Sequence, residues 1–248
     1  MARFTIYPAI DIRGGRCVRL KQGDYAQETV YHEDPVEVAK EWAAQGAEWI
    51  HLVDLDGAKA GQPVNDELIG RIARAVDVPV QVGGGMRTLR DVEHMLGLGV
   101  SRVIIGTAAI EDREFTKQLL ASRGDRVAIG IDARDGYVAT RGWLETSQVK
   151  AEDLAKELAA QGASTFIFTD ISRDGMMGGP NVEAIVRLAR VSGRSVIASG
   201  GVSRYADLES LAQHADEGVS GAIVGKALYT GNIVLADAIR QLAVQTGG

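Results

Sequence analysis

Two aspartates end apolar runs at equivalent places in the chain, Asp11 in PAID and Asp132 in IGID. A carboxyl group held among apolar neighbours can keep its proton, while one in a more polar setting gives it up. An opposed pair of this kind therefore suits general acid–base chemistry. Each is followed by a long segment, not by a helix start, so neither is needed as a helix cap. Asp54 (in LVD) and Asp170 (in FTD) also end apolar runs. Aspartate is a common turn and capping residue, and these two are expected to cap the next turn. Asp174 lies further along the loop that Asp170 begins.

Short Gly-containing segments come in two pairs. Gly83, Gly84 and Gly85 join Gly106, Thr107 and Ala108 in one; Ser199, Gly200 and Gly201 join Gly225, Lys226 and Ala227 in the other. Glycine lets backbone N–H groups approach phosphate oxygens, and a following helix start adds partial positive charge. One such loop is weak evidence, because tight turns also use glycine. Two pairs at equivalent positions are the grip expected for a small molecule carrying two phosphates.

The equivalence comes from an internal repeat. Segment 39–47 reads AKEWAAQGA and segment 155–163 reads AKELAAQGA, an offset of 155 − 39 = 116. The same offset relates Asp54 to Asp170, Gly84 to Gly200 and Gly85 to Gly201. GVSRVIIGTAA at 99–109 answers GVSGAIVGKAL at 218–228.

Elements that could place these residues alternate along the chain. Strand candidates fall near 4–10, 49–54, 78–82, 102–105, 126–131, 165–170, 195–199 and 221–224. Between them run amphipathic stretches such as PVEVAKEWAAQGA and PNVEAIVRLARVSG, several closing on Gly46, Gly99, Gly162 or Gly193. The strands are almost continuously apolar, as required when both faces are covered. Eight strand–helix units predict a single (β/α)8 TIM barrel of class α/β, built from half-repeats of roughly 1–120 and 121–248. An open doubly wound sheet is the alternative, but it has no need of the repeat. Barrel enzymes carry their chemistry at the C-terminal strand ends, which is where the aspartates and Gly loops fall. The long connections 12–34 and 133–150 follow the equivalent strands one and five and are expected to close over a ligand as lids.

Composition removes several function classes. The chain has 248 residues and a net charge of −6, with no basic run, so a nucleic-acid partner is not expected. No apolar stretch is long enough to span a membrane, and no secretory signal is read at the start. The single cysteine, Cys17, fits a reducing compartment and a packed side chain. A monomer in the cytoplasm is expected. His32, His51, His94 and His214 show no ligand spacing, so no metal site is proposed. Trp42 and Trp49 are expected in the core. Trp143, between Gly142 and Leu144 and near Arg141, either stacks on a planar ligand ring or anchors its loop to the barrel. Arg19 pairs with a phosphate or carboxylate, or, by default, lies solvated.

These motifs together resemble the histidine-biosynthesis isomerases that act on phosphoribosylformimino-5-aminoimidazole carboxamide ribotide. PAIDIRGGRCVRLKQGDY, HLVDLDGAKAGQPVN, QVGGGMR, RGWLETS, FTDISRDGMMGGPN, IASGGVS and GAIVGKALY carry the resemblance over nearly the whole chain. The sister cyclase subunit of imidazole glycerol phosphate synthase is less similar, since it begins with Cys-Leu-Asp where this chain has Ala9-Ile10-Asp11. The resemblance implies a cofactor-free Amadori rearrangement of an aminoaldose to an aminoketose. It implies Asp11 as base, Asp132 as acid and Thr169 as a supporting polar residue. Asp174 matches the acid of actinobacterial relatives, so both aspartates stand for that role. Gly178 and Gly179 of MMGGPN join the implied substrate-binding residues, with Arg19, Arg141, Trp143 and the Gly loops. Those relatives also isomerise phosphoribosylanthranilate, so a second substrate is an alternative. A non-catalytic phosphosugar-binding barrel is another, though keeping both Asp11 and Asp132 argues against it.

Overall fold

The computed structural model describes residues 3–245. Eight parallel strands, numbered one to eight in chain order, close into a ring: Thr5–Arg13, Ile50–Asp54, Val80–Gly83, Arg102–Ile105, Val127–Arg134, Thr165–Asp170, Ser195–Ser199 and Val219–Val224. Each pairs with its sequence neighbours, and strand one pairs with strand eight to complete the circle. This is a (β/α)8 barrel, and the open-sheet alternative falls with the closure. Helices such as Pro35–Ala44, Leu89–Gly97, Ala151–Ala160 and Val182–Ser192 pack around it.

The period of two along each strand sorts side chains between two cores. Ile6, Ile10 and Ile12 of strand one join the large cluster between strands and helices. Tyr7 and Ala9 of the same strand face inward, where they meet Ile104, Ala128, Ile167, Ile197 and Ile223. Each large side chain fully buried in this way contributes roughly 1.5–3 kcal/mol. The inward column of strand one ends on Asp11, and that of strand five on Asp132. Gly46, Gly99, Gly162 and Gly193 follow their helices with φ of 97°, 104°, 108° and 61°. This is the left-handed geometry anticipated for helix ends. Trp42 is in the outer core, and Trp49 packs against the inner one.

Asp54 and Asp170 turn away from the barrel interior and cap. Asp54 accepts the backbone N–H of Gly57 and of Val64, both at 2.8 Å, and the side-chain amide of Asn65 at 2.8 Å. Asp170 accepts the Asn181 amide at 2.8 Å and the Ser172 hydroxyl at 2.6 Å. Asn65 and Asn181 are again 116 apart (181 − 65), so the repeat extends to the partners of the caps.

The two long connections differ from expectation. Each is a two-stranded antiparallel ribbon: Arg16–Lys21 with Asp24–His32 after strand one, and Tyr137–Thr140 with Glu145–Lys150 after strand five. Strands one and five also run three residues past their expected ends at 10 and 131, to Arg13 and Arg134, to carry the ribbons. The outer strand of each ribbon carries no apolar run to mark it, because neither Asp24–His32 nor Glu145–Lys150 contains a buried residue.

Candidate active site

A single cavity opens at the C-terminal ends of the strands, lined from both half-repeats. Asp11 and Asp132 enter it from strands one and five, which the ring order sets on opposite sides. Thr169, Asp174, Arg19, Trp143 and all four Gly segments line it as well.

Asp11 is buried and receives the Arg19 guanidinium at 2.7 Å through Nη1. Arg19 Nη2 lies 3.7 Å from Asp174 Oδ1. Arg19 is thus not the solvated arginine expected by default; it is buried between two carboxylates and rests against Gly225. Burial pushes the Asp11 carboxyl up to about 6, against the pull of Arg19 and with some help from the Asp174 charge. Asp132 Oδ2 accepts the indole N–H of Trp143 at 2.7 Å. Burial also raises the Asp132 carboxyl above the usual carboxylate range, opposed by hydrogen bonds from Trp143 and Thr169. Asp174 is raised by burial, with Arg19 pulling it down. The arrangement can do proton chemistry: Asp11 has a cation beside it, whereas Asp132, across the mouth, is held by neutral donors.

Trp143 answers to the anchoring alternative. Besides holding Asp132, its ring lies against Gly23 of the first ribbon, so the two ribbons meet over the cavity. Arg141, Gly142 and Trp143 all have positive φ, a strained run that the Trp143 contacts hold in place.

The Gly segments show why glycine is required. Gly84 and Gly85 have φ of 108° and 80°, and Gly200 and Gly201 have 91° and 85°. A Cβ on Gly84 would drive into the Asp54 carbonyl oxygen, and one on Gly201 into that of Gly179. Short helices, Ala108–Glu111 and Lys226–Tyr229, begin beside Thr107 and Gly225 at the mouth. The Thr107 hydroxyl accepts the Arg141 N–H at 2.9 Å and ties the second ribbon to this rim. Gly84→Ala is expected to cost about 3 kcal/mol or more, since both the left-handed backbone and the clash must be relieved. The substrate KM should rise with it. Gly136→Ala, where φ is 82° with open space around, should cost only about 1 kcal/mol and leave KM unchanged. Thermal unfolding and steady-state kinetics of the two variants check this.

Three expected binding residues fall outside the cavity lining. The Arg141 side chain points away and pairs with Glu111 at 2.9 Å and Glu145 at 3.4 Å. Gly179 supports the strand-seven loop from behind, donating its N–H to the Gly201 carbonyl at 2.9 Å, and Gly178 sits beside it. Flanking sequence does not separate residues that line a loop from those that brace it.

The cavity also takes in His51, Tyr25 and Arg87, which lie within the quoted motifs but are not among the expected site residues. The alternation Trp49, His51, Val53, leading into and along strand two, is the signal that could have found His51. The other histidines have local roles. His94 pairs with Asp66 at 2.7 Å, His214 with Glu217 at 2.6 Å, and His32 accepts the Asp34 N–H at 3.0 Å. Among the described residues no group of three or more His, Cys, Asp or Glu is arranged to hold a metal. No helix among them is long and apolar enough to cross a membrane. Cys17 is buried, with its sulfur 2.9 Å from the Tyr229 hydroxyl.

Comparison with known proteins agrees with this architecture. Residues 5–234 match the family model described as histidine biosynthesis protein. A 1-(5-phosphoribosyl)-5-((5-phosphoribosylamino)methylideneamino) imidazole-4-carboxamide isomerase of Brevibacillus brevis is 62% identical over 239 residues, covering 96% of either chain. The isomerase of the same name from Geobacillus kaustophilus is 61% identical, covering 97% of this chain and 98% of its own. The one from Bacillus subtilis is 54% identical, covering 98% and 99%.

Proposed function

The chain belongs to the histidine biosynthesis protein family, and from that premise we propose how its carboxylates perform the isomerisation its relatives are named for. The substrate is the aminoaldose bisphosphate and the product the corresponding aminoketose. The cyclase and the non-catalytic binding barrel find no support in the relatives' names. The observation that carries the mechanism is the opposition of Asp11 and Asp132 across one cavity flanked by two pairs of Gly loops.

The acid, Asp132, protonates the ring oxygen of the reacting ribose. The C1′–O bond breaks as the nitrogen lone pair forms a C1′=N iminium. Asp11, ionised beside Arg19, removes the C2′ proton, and the electrons neutralise the iminium to give an enolamine. A proton returns to C1′ while the C2′ hydroxyl loses its own, leaving the ketone. The nitrogen lone pair drives the C–O cleavage, every other change is the movement of a proton, and no electrons enter or leave, so two carboxyl groups suffice. The Gly84–Gly85 and Gly200–Gly201 loops hold the two phosphates and fix both ends of the substrate, which sets C2′ over Asp11. The chain works as a monomer in the cytoplasm, a setting its single buried thiol suits.

The test is turnover of the aminoaldose bisphosphate, with the ketose followed by coupling to the cyclase and ammonia. Steady conversion is expected; tight binding with no conversion would overturn the isomerase reading. The pH profile adds a check on the base. Asp11 must be ionised, and its carboxyl sits at about 6 in the free protein, so kcat/KM should rise through that pH and level off above it. A kcat/KM that stays flat well below pH 6 would remove Asp11 from the role.

A further inference from the structure

Beneath the carboxylates, the barrel floor holds a relay of three polar side chains on adjacent strands. His51 on strand two lines the cavity, and its Nδ1 lies 3.0 Å from the amide nitrogen of Gln81 on strand three. The Gln81 oxygen lies 2.6 Å from Nη2 and 3.0 Å from Nε of Arg102 on strand four. Arg102 is held against the Trp49 ring, with its guanidinium carbon 4.5 Å from the ring centre, and lies 5.9 Å from that of Tyr7.

The chemistry of these groups runs in one direction only. A guanidinium has five N–H donors and no acceptor, so the atom of Gln81 that faces it must be the oxygen. The amide –NH2 of Gln81 is then the group facing His51. An amide nitrogen cannot accept, so His51 Nδ1 must, and it carries no proton. The remaining ring nitrogen, Nε2, holds the hydrogen. Gln81 is fully buried and His51 nearly so, leaving no solvent to reverse the order. Burial pushes the imidazolium form down to about 3, and the positive charges of Arg19 and Arg102 work in the same direction.

We propose that Arg102 and Gln81 are positioning residues that hold His51 as a neutral Nε2–H donor, and that this N–H bonds the C2′ oxygen of the reacting ribose. Strand pairing supports the placement. His51 is opposite Ala9, one inward step below Asp11 on the neighbouring strand. A donor there meets the oxygen on the carbon that Asp11 deprotonates, and it steadies that oxygen as it becomes a carbonyl. A charged imidazolium would add a third cation beside Arg19 and lower the basicity of Asp11; a neutral ring supplies the hydrogen bond without that effect. The inference rests on the isomerase reading for the identity of the substrate atom, but the protonation order can be read without turnover.

The first measurement is nitrogen NMR of the imidazole in the full-length protein labelled at histidine. The expected spectrum shows His51 protonated at Nε2 only, unchanged from about pH 5 to 8. Protonation at Nδ1, or titration within that range, would overturn the proposal. The second is the Gln81→Glu variant, which keeps an acceptor toward Arg102 but turns an acceptor toward His51 as well. Its His51 should move the proton to Nδ1, with kcat falling about 10²-fold, as for loss of one oxyanion donor, and KM changing little. A moved proton with kcat unchanged would also overturn it. If Gln81→Glu does not fold, His51 is replaced directly. His51→Gln, which keeps an N–H donor, should retain about a tenth of the parental kcat or more, and His51→Leu should not. Equal kcat in the two would count against a donor role. Absence of turnover in the parent with His51 still protonated at Nε2 would strike the isomerase reading and the proposed substrate atom, while the relay would stand.

Discussion

Asp11→Asn should bind the aminoaldose bisphosphate within a few-fold of the parent and turn it over about 10²–10⁴ times more slowly, the usual contribution of a general base. The amide has the shape of the carboxyl group but cannot take the C2′ proton. Binding should survive because the phosphate loops follow strands three, four, seven and eight, and Asp11 on strand one belongs to none of them. Arg19 should stay in place because Asp174 remains on its other nitrogen, at 3.7 Å. Stability should move the opposite way from activity. The Asp11 carboxyl sits at about 6 in the folded chain against 3.8 as its ordinary value. For an acid raised on folding, the ionised form is the one the fold disfavours. The cost is therefore present above about pH 6 and gone below about pH 4, and it is of order 3 kcal/mol by linkage. Asp11→Asn removes that cost, so the variant should melt above the parent at pH 8 and level with it near pH 4. Unfolding followed at both pH values, alongside kcat, checks both signs. A variant that lost stability at pH 8 would mean that Arg19 depends on Asp11 more than Asp11 is strained by burial.

Much of this site is legible in the chain itself. A side-chain period of two and apolar runs ending on aspartate are enough to place Asp11 and Asp132 at the mouth. The offset of 116 is enough to pair the Gly loops. Capping by Asp54 and Asp170 follows from residue type alone. The features that escape are decided by contacts between distant segments. Nothing near Arg19 in the chain says that Asp174 faces it. The ribbons are hidden because their outer strands, Asp24–His32 and Glu145–Lys150, bury no residue and so carry no apolar run. Arg141 and Trp143 are two residues apart in one short turn, yet one points to solvent and the other onto Asp132; three consecutive left-handed residues make that split. His51 has no metal-ligand spacing to mark it, and its partners, Gln81 and Arg102, come from the next two strands.

Asp132→Asn and Asp174→Asn should separate the two candidates for the acid. Both carboxyl groups are raised by burial, so a raised proton affinity alone does not choose between them. Their neighbours do. Asp174 shares Arg19 with Asp11 on the base's side of the cavity, and a cation favours the ionised form. Asp132 stands opposite, with neutral donors only, Trp143 on Oδ2 and Thr169, so no cation pulls against the rise that burial causes. Asp132→Asn should therefore lower kcat about 10²–10³-fold with KM little changed, since an amide cannot deliver the proton that opens the ring. Asp174→Asn should keep kcat within about tenfold at neutral pH. It should also move the acidic limb of the profile downward, because the Asp174 charge is one of the groups raising Asp11. The reverse pattern, with Asp174→Asn the slow variant and Asp132→Asn nearly intact, would hand the acid role to Asp174. Ring opening would then take place on the same side of the mouth as proton removal, with Arg19 between the two groups, and Asp132 would be left as the anchor that holds Trp143 over the site.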